Sequence, residues 1–215
     1  MIRLLWLLYG LMYLIAAGLF AASGSLIAPQ HILVAVSLLI CWKRRTLRAW
    51  LHRMPAPAWL KYALLGTFYS VLIGESLGVN LQGDLHANLL INSFLWLGSY
   101  AGILAAWWLL ARRYTWTPGQ VFALCGLLGV QIEQDFLITR MLLGGQVIEA
   151  LLAAVFIHAI YAALFTPAVL VGIEPPAREL PAPGLIAKGL AIFGPMILFY
   201  IGSLWIFAWL PAFTG

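Results

Sequence analysis

The 215-residue chain is strongly apolar: 64% of its residues are hydrophobic, only 9% are charged, and its mean hydropathy is +0.98. A soluble domain of this size could not cover its surface with so few polar groups, so the composition excludes a water-soluble protein and predicts an all-α bundle of transmembrane helices. At roughly 20 apolar residues per crossing, the chain accommodates about seven spans in one membrane domain, residues 1–215, with no room for a soluble domain.

Seven apolar segments have the length and the terminal signals of membrane-spanning helices. They cover residues 4–22, 26–42, 58–79, 85–111, 118–143, 146–170 and 184–210. We interpret the first segment as an uncleaved span. Thr117, Pro118 and Gln120 form the pattern of a capping box with proline at the first helical position, which predicts where the fifth span begins. Gly144 and Gly145 supply a stop for the same span.

Residues 43–54 between the second and third spans have an amphipathic pattern instead. Leu47 and Trp50 lie at helical spacing and are opposed by Arg45 and Arg48. Such a helix, apolar on one face and basic on the other, is typical of a segment that lies flat on an anionic membrane surface.

The basic residues predict the orientation of the bundle, because Lys and Arg are retained in short cytoplasmic loops. One end of the predicted spans carries Arg3, Lys43, Arg44, Arg45, Arg48, Arg53, Lys61, Arg112, Arg113, Arg178 and Lys188. Only Arg140 falls at the other end. We therefore expect a cytoplasmic N-terminus in a membrane, the bacterial cytoplasmic membrane being the expected one. A charge gathered at a membrane surface also gives no reason to expect a nucleic-acid partner.

The ionisable residues on the outer side of the predicted spans include Glu75, Glu133 and His158. Both glutamates are roughly 23 Å from the inner start of their helices, in an apolar core about 30 Å thick. Intramembrane ionisable groups are expensive and therefore functional candidates. We predict that Glu75 or Glu133 acts as a general base and that His158 acts as an acid or a metal ligand. The structural alternatives are an ion pair between Glu133 and Arg140, and a hydrogen-bonded packing role for His158.

The fourth span has a polar face, because Asp84, Asn88 and Asn92 follow one another every four residues and Ser99 continues the stripe. A stripe of this kind does not face lipid. It lines a hydrated cavity open to the outside, or it bonds neighbouring helices, as the adjacent Gly98-xxx-Gly102 motif favours. On the first interpretation, the predicted substrate-binding residues are Asp84, His86, Asn88, Asn92 and Arg140.

A weak internal repeat relates the third and fourth spans to the fifth and sixth. Glu75 precedes Tyr100 by 25 residues, and Glu133 precedes His158 by the same interval. Duplicated helical pairs are common in membrane proteins, and the repeat would place the two glutamates in related positions.

The segment from Glu133-Gln-Asp-Phe to Arg140, followed by His158 on the next helix, loosely resembles the EExxxR helix and histidine helix of the CAAX-type intramembrane glutamic proteases. Here Glu-Gln-Asp replaces the paired glutamates, the arginine is displaced, and no HxxxN follows His158. We therefore assign the chain to no known family.

Three functional hypotheses remain from the sequence. The first is a membrane-embedded hydrolase or transferase acting on a lipid or lipid-linked substrate; the second is a small-molecule or proton-coupled transporter; the third is a structural or assembly subunit with a membrane-complex partner. Membrane lipids are expected contacts in each case. The cofactor is unknown, with a divalent metal as a candidate. A metal or ligand site would require three of Glu75, His86, Glu133 and His158 within about 5 Å of one point.

Overall fold

The computed structural model describes residues 2–22, 28–79, 85–133, 137–174 and 184–214. In these ranges every regular element is helical, which confirms the predicted all-α class. The α-helices are α1 (Ile2–Ala22), α2 (Ala28–Trp42), α3 (Arg44–His52), α4 (Ala58–Leu65), α5 (Leu89–Arg113), α6 (Pro118–Ile132), α7 (Leu137–Leu143), α8 (Val147–Gly172) and α9 (Leu185–Thr214). A π-helix, Gly66–Val79, continues directly from α4.

Three helices of the described chain, α5, α8 and α9, are long and apolar enough to cross a bilayer. A fourth crossing results if α6 and α7, which meet at 67°, form one broken span. These helices support a membrane location. Three or four is fewer than the seven spans predicted. The helix α2 has only 15 residues, and the predicted third span is divided between α4 and the π-helix.

The local signals in the sequence are found where they were predicted. The Thr117 side chain accepts a hydrogen bond from the Gln120 backbone N–H at 3.2 Å, and the Gln120 side chain accepts one from the Thr117 N–H at 2.9 Å. This capping box begins α6 and satisfies two helix-end donors, a contribution of about 1 kcal/mol per cap. After α7, Gly145 adopts a φ of 78°, which favours glycine. The amphipathic segment forms α3 as expected.

Glycines allow two helix pairs to approach closely. Gly98 and Gly102 of α5 face α9, where a Cβ on Gly102 would stand only 2.7 Å from the Leu198 Cβ. Gly202 on α9 lies against the α5 backbone in turn. The predicted Gly98-xxx-Gly102 contact is therefore confirmed. Gly129 likewise allows α6 to pack closely against α8, since a Cβ at this position would overlap the Tyr161 ring.

α8 is the central helix of the bundle. It packs against α1, α2, α3, α4, α6, α7 and the π-helix, and its cytoplasm-proximal half in the predicted orientation, residues 162–172, is buried throughout. The largest fully buried side chains include Trp107, Tyr100 and Phe165, which belong to one core cluster. Because α8 touches so many neighbours, side chains in its middle are held against several helices at once.

Candidate functional site

The first buried carboxylate, Glu75, lies on the π-helix and is bonded to α5. Its side chain is 3% exposed, and Oε2 accepts a hydrogen bond from the hydroxyl of Tyr100, which is fully buried. Side chains on a helix lean toward its N-terminus, so residues on two antiparallel helices lean toward each other and can meet from different depths. A second bond between the same elements joins the Ser76 and Ser93 hydroxyls at 2.7 Å.

The second carboxylate, Glu133, is the residue that ends α6 and is partly buried. Its Oε2 accepts a hydrogen bond of 2.8 Å from the hydroxyl of Tyr161 on α8. Gly129, one turn earlier on α6, allows the Tyr161 ring to lie directly against the helix backbone. The next helix, α7, runs at an angle of 67° to α6.

The two Glu–Tyr pairs lie next to each other. Tyr100 and Tyr161 are close enough to interact, and each tyrosine also interacts electrostatically with both carboxylates. Phe165 contacts both phenol rings, with centroid distances of 5.1 Å to Tyr100 and 6.4 Å to Tyr161. We call Glu75, Tyr100, Tyr161 and Glu133 the Glu–Tyr cluster. It joins the π-helix, α5, α6 and α8 in the interior of the bundle.

Carboxyl and phenol groups in contact can pass a proton between them. A tyrosine hydroxyl donates one hydrogen bond and accepts others, and a carboxyl group donates only when it is protonated. A row of such groups in a medium of low dielectric constant is strongly coupled, because each bond polarises the next. Each carboxylate can therefore exchange a proton with the tyrosine hydroxyl that is bonded to it.

His158 does not join the cluster. Its Nε2 lies 3.1 Å from the Ala123 carbonyl, and its Nδ1 lies 2.9 Å from the Tyr9 hydroxyl. A carbonyl only accepts, so Nε2–H donates to Ala123 and the neutral ring accepts from Tyr9 through Nδ1. The Tyr9 and Phe122 rings pack on the imidazole at 5.4 and 5.5 Å. These contacts fit the packing role better than the predicted catalytic one.

The polar side chains of the α5 stripe have different hydrogen-bond partners. The Asn88 side chain accepts from the backbone N–H groups of Leu90 and Ile91 at 3.0 and 3.3 Å, so it caps the start of α5. His86 accepts from the Asn88 N–H at 2.9 Å. The Ser99 hydroxyl oxygen lies 3.3 Å from that of Ser203 on α9, a hydrogen bond that joins the two helices. Asn88 and His86 thus have local structural partners at the helix start.

Asn92 is the exception within that stripe. It is 1% exposed, and in the described part of the chain neither its amide nitrogen nor its amide oxygen has a hydrogen-bond partner. An unsatisfied buried amide costs about 1–3 kcal/mol, which is a large penalty for one side chain. Asn92 therefore stays a candidate for binding a polar substrate.

Of the two remaining predicted site residues, one lies outside the described residues and the other is on α7. Asp84 falls in the range 80–84, which the structure does not describe. Arg140 is exposed on α7, across the bend from Glu133, so the two residues do not share one continuous helix as the sequence predicted. Among the described residues no group of three His, Cys, Asp or Glu side chains is placed to hold a metal ion.

No family model matches this chain, and neither a curated protein nor a solved structure matches it. The fold and the site therefore define the protein only as a class: an apolar, all-helical bundle of membrane type with two carboxylates and two tyrosines joined in its interior. Both glutamates stood out as candidates in the sequence, whereas the roles of Tyr100 and Tyr161 were missed. The sequence signal for Tyr100 was its 25-residue interval from Glu75.

Proposed function

We propose that this protein is a proton-coupled transporter of a small molecule, in which Glu75 carries the coupling proton. The observation that carries the proposal is the Glu–Tyr cluster, in which two hydrogen-bonded Glu–Tyr pairs lie next to each other inside an apolar bundle. Its proposed location is the bacterial cytoplasmic membrane, with a cytoplasmic N-terminus. The gathering of basic residues at one end of the chain's helices supports that orientation.

The different burial of the two carboxylates supports a direction for proton movement. Glu133, at the end of α6, is partly exposed, whereas Glu75 is 3% exposed. Protons enter at Glu133 from the non-cytoplasmic side and reach Glu75 through Tyr161 and Tyr100. Asn92, with its unsatisfied amide, is the residue best suited to bind the polar part of the transported molecule.

Irregular helices at both carboxylates also support transport. Glu75 lies on a π-helix, and π-type turns occur frequently at functional sites because they distort the regular hydrogen-bond ladder. Glu133 lies where α6 ends and the chain bends by 67° toward α7. Broken helices are the usual place where transporters bind substrates and coupling ions.

The proposal is tested with purified protein in liposomes on a solid-supported membrane. The probe is a defined panel of amino acids, sugars, organic acids, nucleosides and organic cations, applied with and without an inward proton gradient. At least one solute is expected to produce a proton-linked current. Glu75→Gln abolishes that current, while the matched control Glu149→Gln, an exposed carboxylate at the start of α8, retains it.

Two results would contradict the proposal, the first its transport activity and the second the role of Glu75. One is a panel in which no solute gives a current above that of empty liposomes, although the protein is folded and correctly inserted. The other is a current that Glu75→Gln leaves intact. A protein that always copurifies with a fixed partner, and is inactive without it, would favour a subunit of a larger complex instead.

A hydrolase or transferase acting on a lipid or lipid-linked substrate is the second candidate. The observation favouring it is the partly exposed Glu133 carboxylate with the Tyr161 hydroxyl 2.8 Å away, an arrangement that suits a general base at the outer leaflet. Mass spectrometry of lipids incubated with the purified protein distinguishes the two. A lipid product that depends on Glu133, without any proton-linked current, would favour the enzyme.

A further inference from the structure

A pocket of about 160 Å³ with both polar and apolar walls opens at the basic end of the bundle. It lies between α3, the connection from α5 to α6, and the end of α8, and its walls include Arg44, Arg48, Tyr114, Trp116 and Glu174. One water needs roughly 10–15 Å³ of comparable space, so the pocket has room for a group of several heavy atoms.

Two arginines supply unused hydrogen-bond donors to this pocket. Arg48 donates from Nη2 to the Leu170 carbonyl near the end of α8, and Arg44 donates from Nη1 to the Cys41 carbonyl at 2.9 Å. Each guanidinium has five N–H groups, so one carbonyl satisfies only a fraction of them. The buried Nε of Arg48 has no partner in the described part of the chain.

The same two arginines repel each other. They are four residues apart on α3, a spacing that places like charges on one helix face and destabilises the helix. Burial first, and then the charge of Arg44, lowers the pKa of Arg48, while Glu174 opposes the shift. An anion bound between the guanidinium groups would relieve this repulsion and use their free donors.

Glu174 supplies a carboxylate to the pocket wall, but it is paired elsewhere. Its Oε1 lies 3.1 Å from Nδ1 of His52, and both side chains are about half exposed, at 52% and 47%. The interaction pairs Glu174 with His52, which is not among the residues that line the pocket. The arginines are the cationic groups of the pocket wall.

We propose that this pocket binds a phosphate group, that of an anionic phospholipid headgroup or a free phosphate. Paired guanidinium groups match phosphate oxygens in geometry and charge. Basic pockets between helices at the cytoplasmic surface are suited to anionic headgroups, and aromatic residues such as Tyr114 and Trp116 prefer that level of the membrane. The site is distinct from the Glu–Tyr cluster and does not depend on the transport proposal.

The test uses native mass spectrometry of the purified full chain in detergent. Phosphatidylglycerol and phosphatidylcholine are titrated separately, and inorganic phosphate is added as a competitor. Arg44→Gln with Arg48→Gln is compared with Arg45→Gln with Arg53→Gln, which removes the same charge from exposed positions of the same segment. We expect about tenfold weaker phosphatidylglycerol binding in the first double variant and less than about twofold change in the control.

The outcomes separate the possible ligands. Displacement of the lipid by inorganic phosphate would assign the pocket to phosphate in general, and resistance to phosphate with loss in the first double variant would assign it to the lipid headgroup. Equal weakening in both double variants, or no weakening in either, would overturn the proposal. If the first double variant fails to fold, Arg44→Gln alone against Arg45→Gln gives the same comparison, because Arg48 then keeps its bond to α8.

Discussion

The two Glu–Tyr pairs have the same chemistry in different surroundings. Glu75 and Tyr100 are both buried, between the π-helix and α5. Glu133 and Tyr161 are partly exposed, between the end of α6 and the middle of α8. One pair is thus closed off by packed helices, while the other borders a break in its helix.

This difference determines what each hydrogen bond contributes. A buried carboxylate that loses its donor suffers the full penalty of desolvation, whereas a partly exposed one recovers a bond from water. The inner pair is therefore suited to hold a proton away from water, and the outer pair is suited to exchange one with it. Substitutions in and around the two pairs test that division.

The largest expected effect is on proton-linked transport. Glu75→Gln should reduce the current to the level of empty liposomes, because no other carboxylate of the cluster is buried. Glu133→Gln should reduce it only about tenfold, because water can still reach this partly exposed position and deliver protons there. The measurement is the current for the same solute in both variants. Equal losses would contradict the assignment of Glu75 as the proton carrier.

The next effect concerns the glycine beside each pair. Gly129→Ala should destabilise the protein by about 3 kcal/mol and displace Tyr161, because the new Cβ overlaps the Tyr161 ring and its Cβ. Gly74→Ala, beside Glu75, meets mainly the flexible end of Leu164 and should cost about 1 kcal/mol. Unfolding in mixed detergent micelles measures both values. A larger cost at Gly74 would show that the inner pair depends more on helix spacing than the outer pair.

Removing the two hydroxyls compares the pairs directly. Tyr100→Phe should cost about 2 kcal/mol and Tyr161→Phe about 1 kcal/mol, because only the first leaves a carboxylate without this donor in a fully buried place. The same unfolding measurement applies, and Tyr114→Phe, outside the cluster, is the control. The reverse order would mean that the exposed fraction does not govern the strength of these bonds.

Much of the fold follows from local sequence signals. The capping box at Thr117, the glycine stop at Gly145 and the Gly98-xxx-Gly102 contact are each determined by a few neighbouring residues, and all three appear as predicted. The π-helix was not predicted, because neither its composition nor its apolar pattern distinguishes it from an α-helix. The bend between α6 and α7 was missed for a related reason, since apolar residues continue on both sides of it.

The candidate site was only partly predictable. Intramembrane carboxylates are rare enough that Glu75 and Glu133 stand out from the sequence alone. Their partners do not, because His158 and Tyr161 are three residues apart on nearly the same face of α8. Which of them reaches Glu133 depends on the relative depth of α6 and α8, and the close approach at Gly129 places Tyr161 there.

The smallest expected effect tests whether His158 belongs to the site after all. Tyr9→Phe removes the hydroxyl that bonds Nδ1 of His158 at 2.9 Å, and it should cost about 1 kcal/mol with no change in transport. The Glu–Tyr cluster does not need this bond, because His158 is held on its other side by the Ala123 carbonyl. Tyr13→Phe, which removes the matching bond to His31 on α2, is the control. If transport is lost in Tyr9→Phe but retained in Tyr13→Phe, His158 would be part of the functional site, as the sequence predicted.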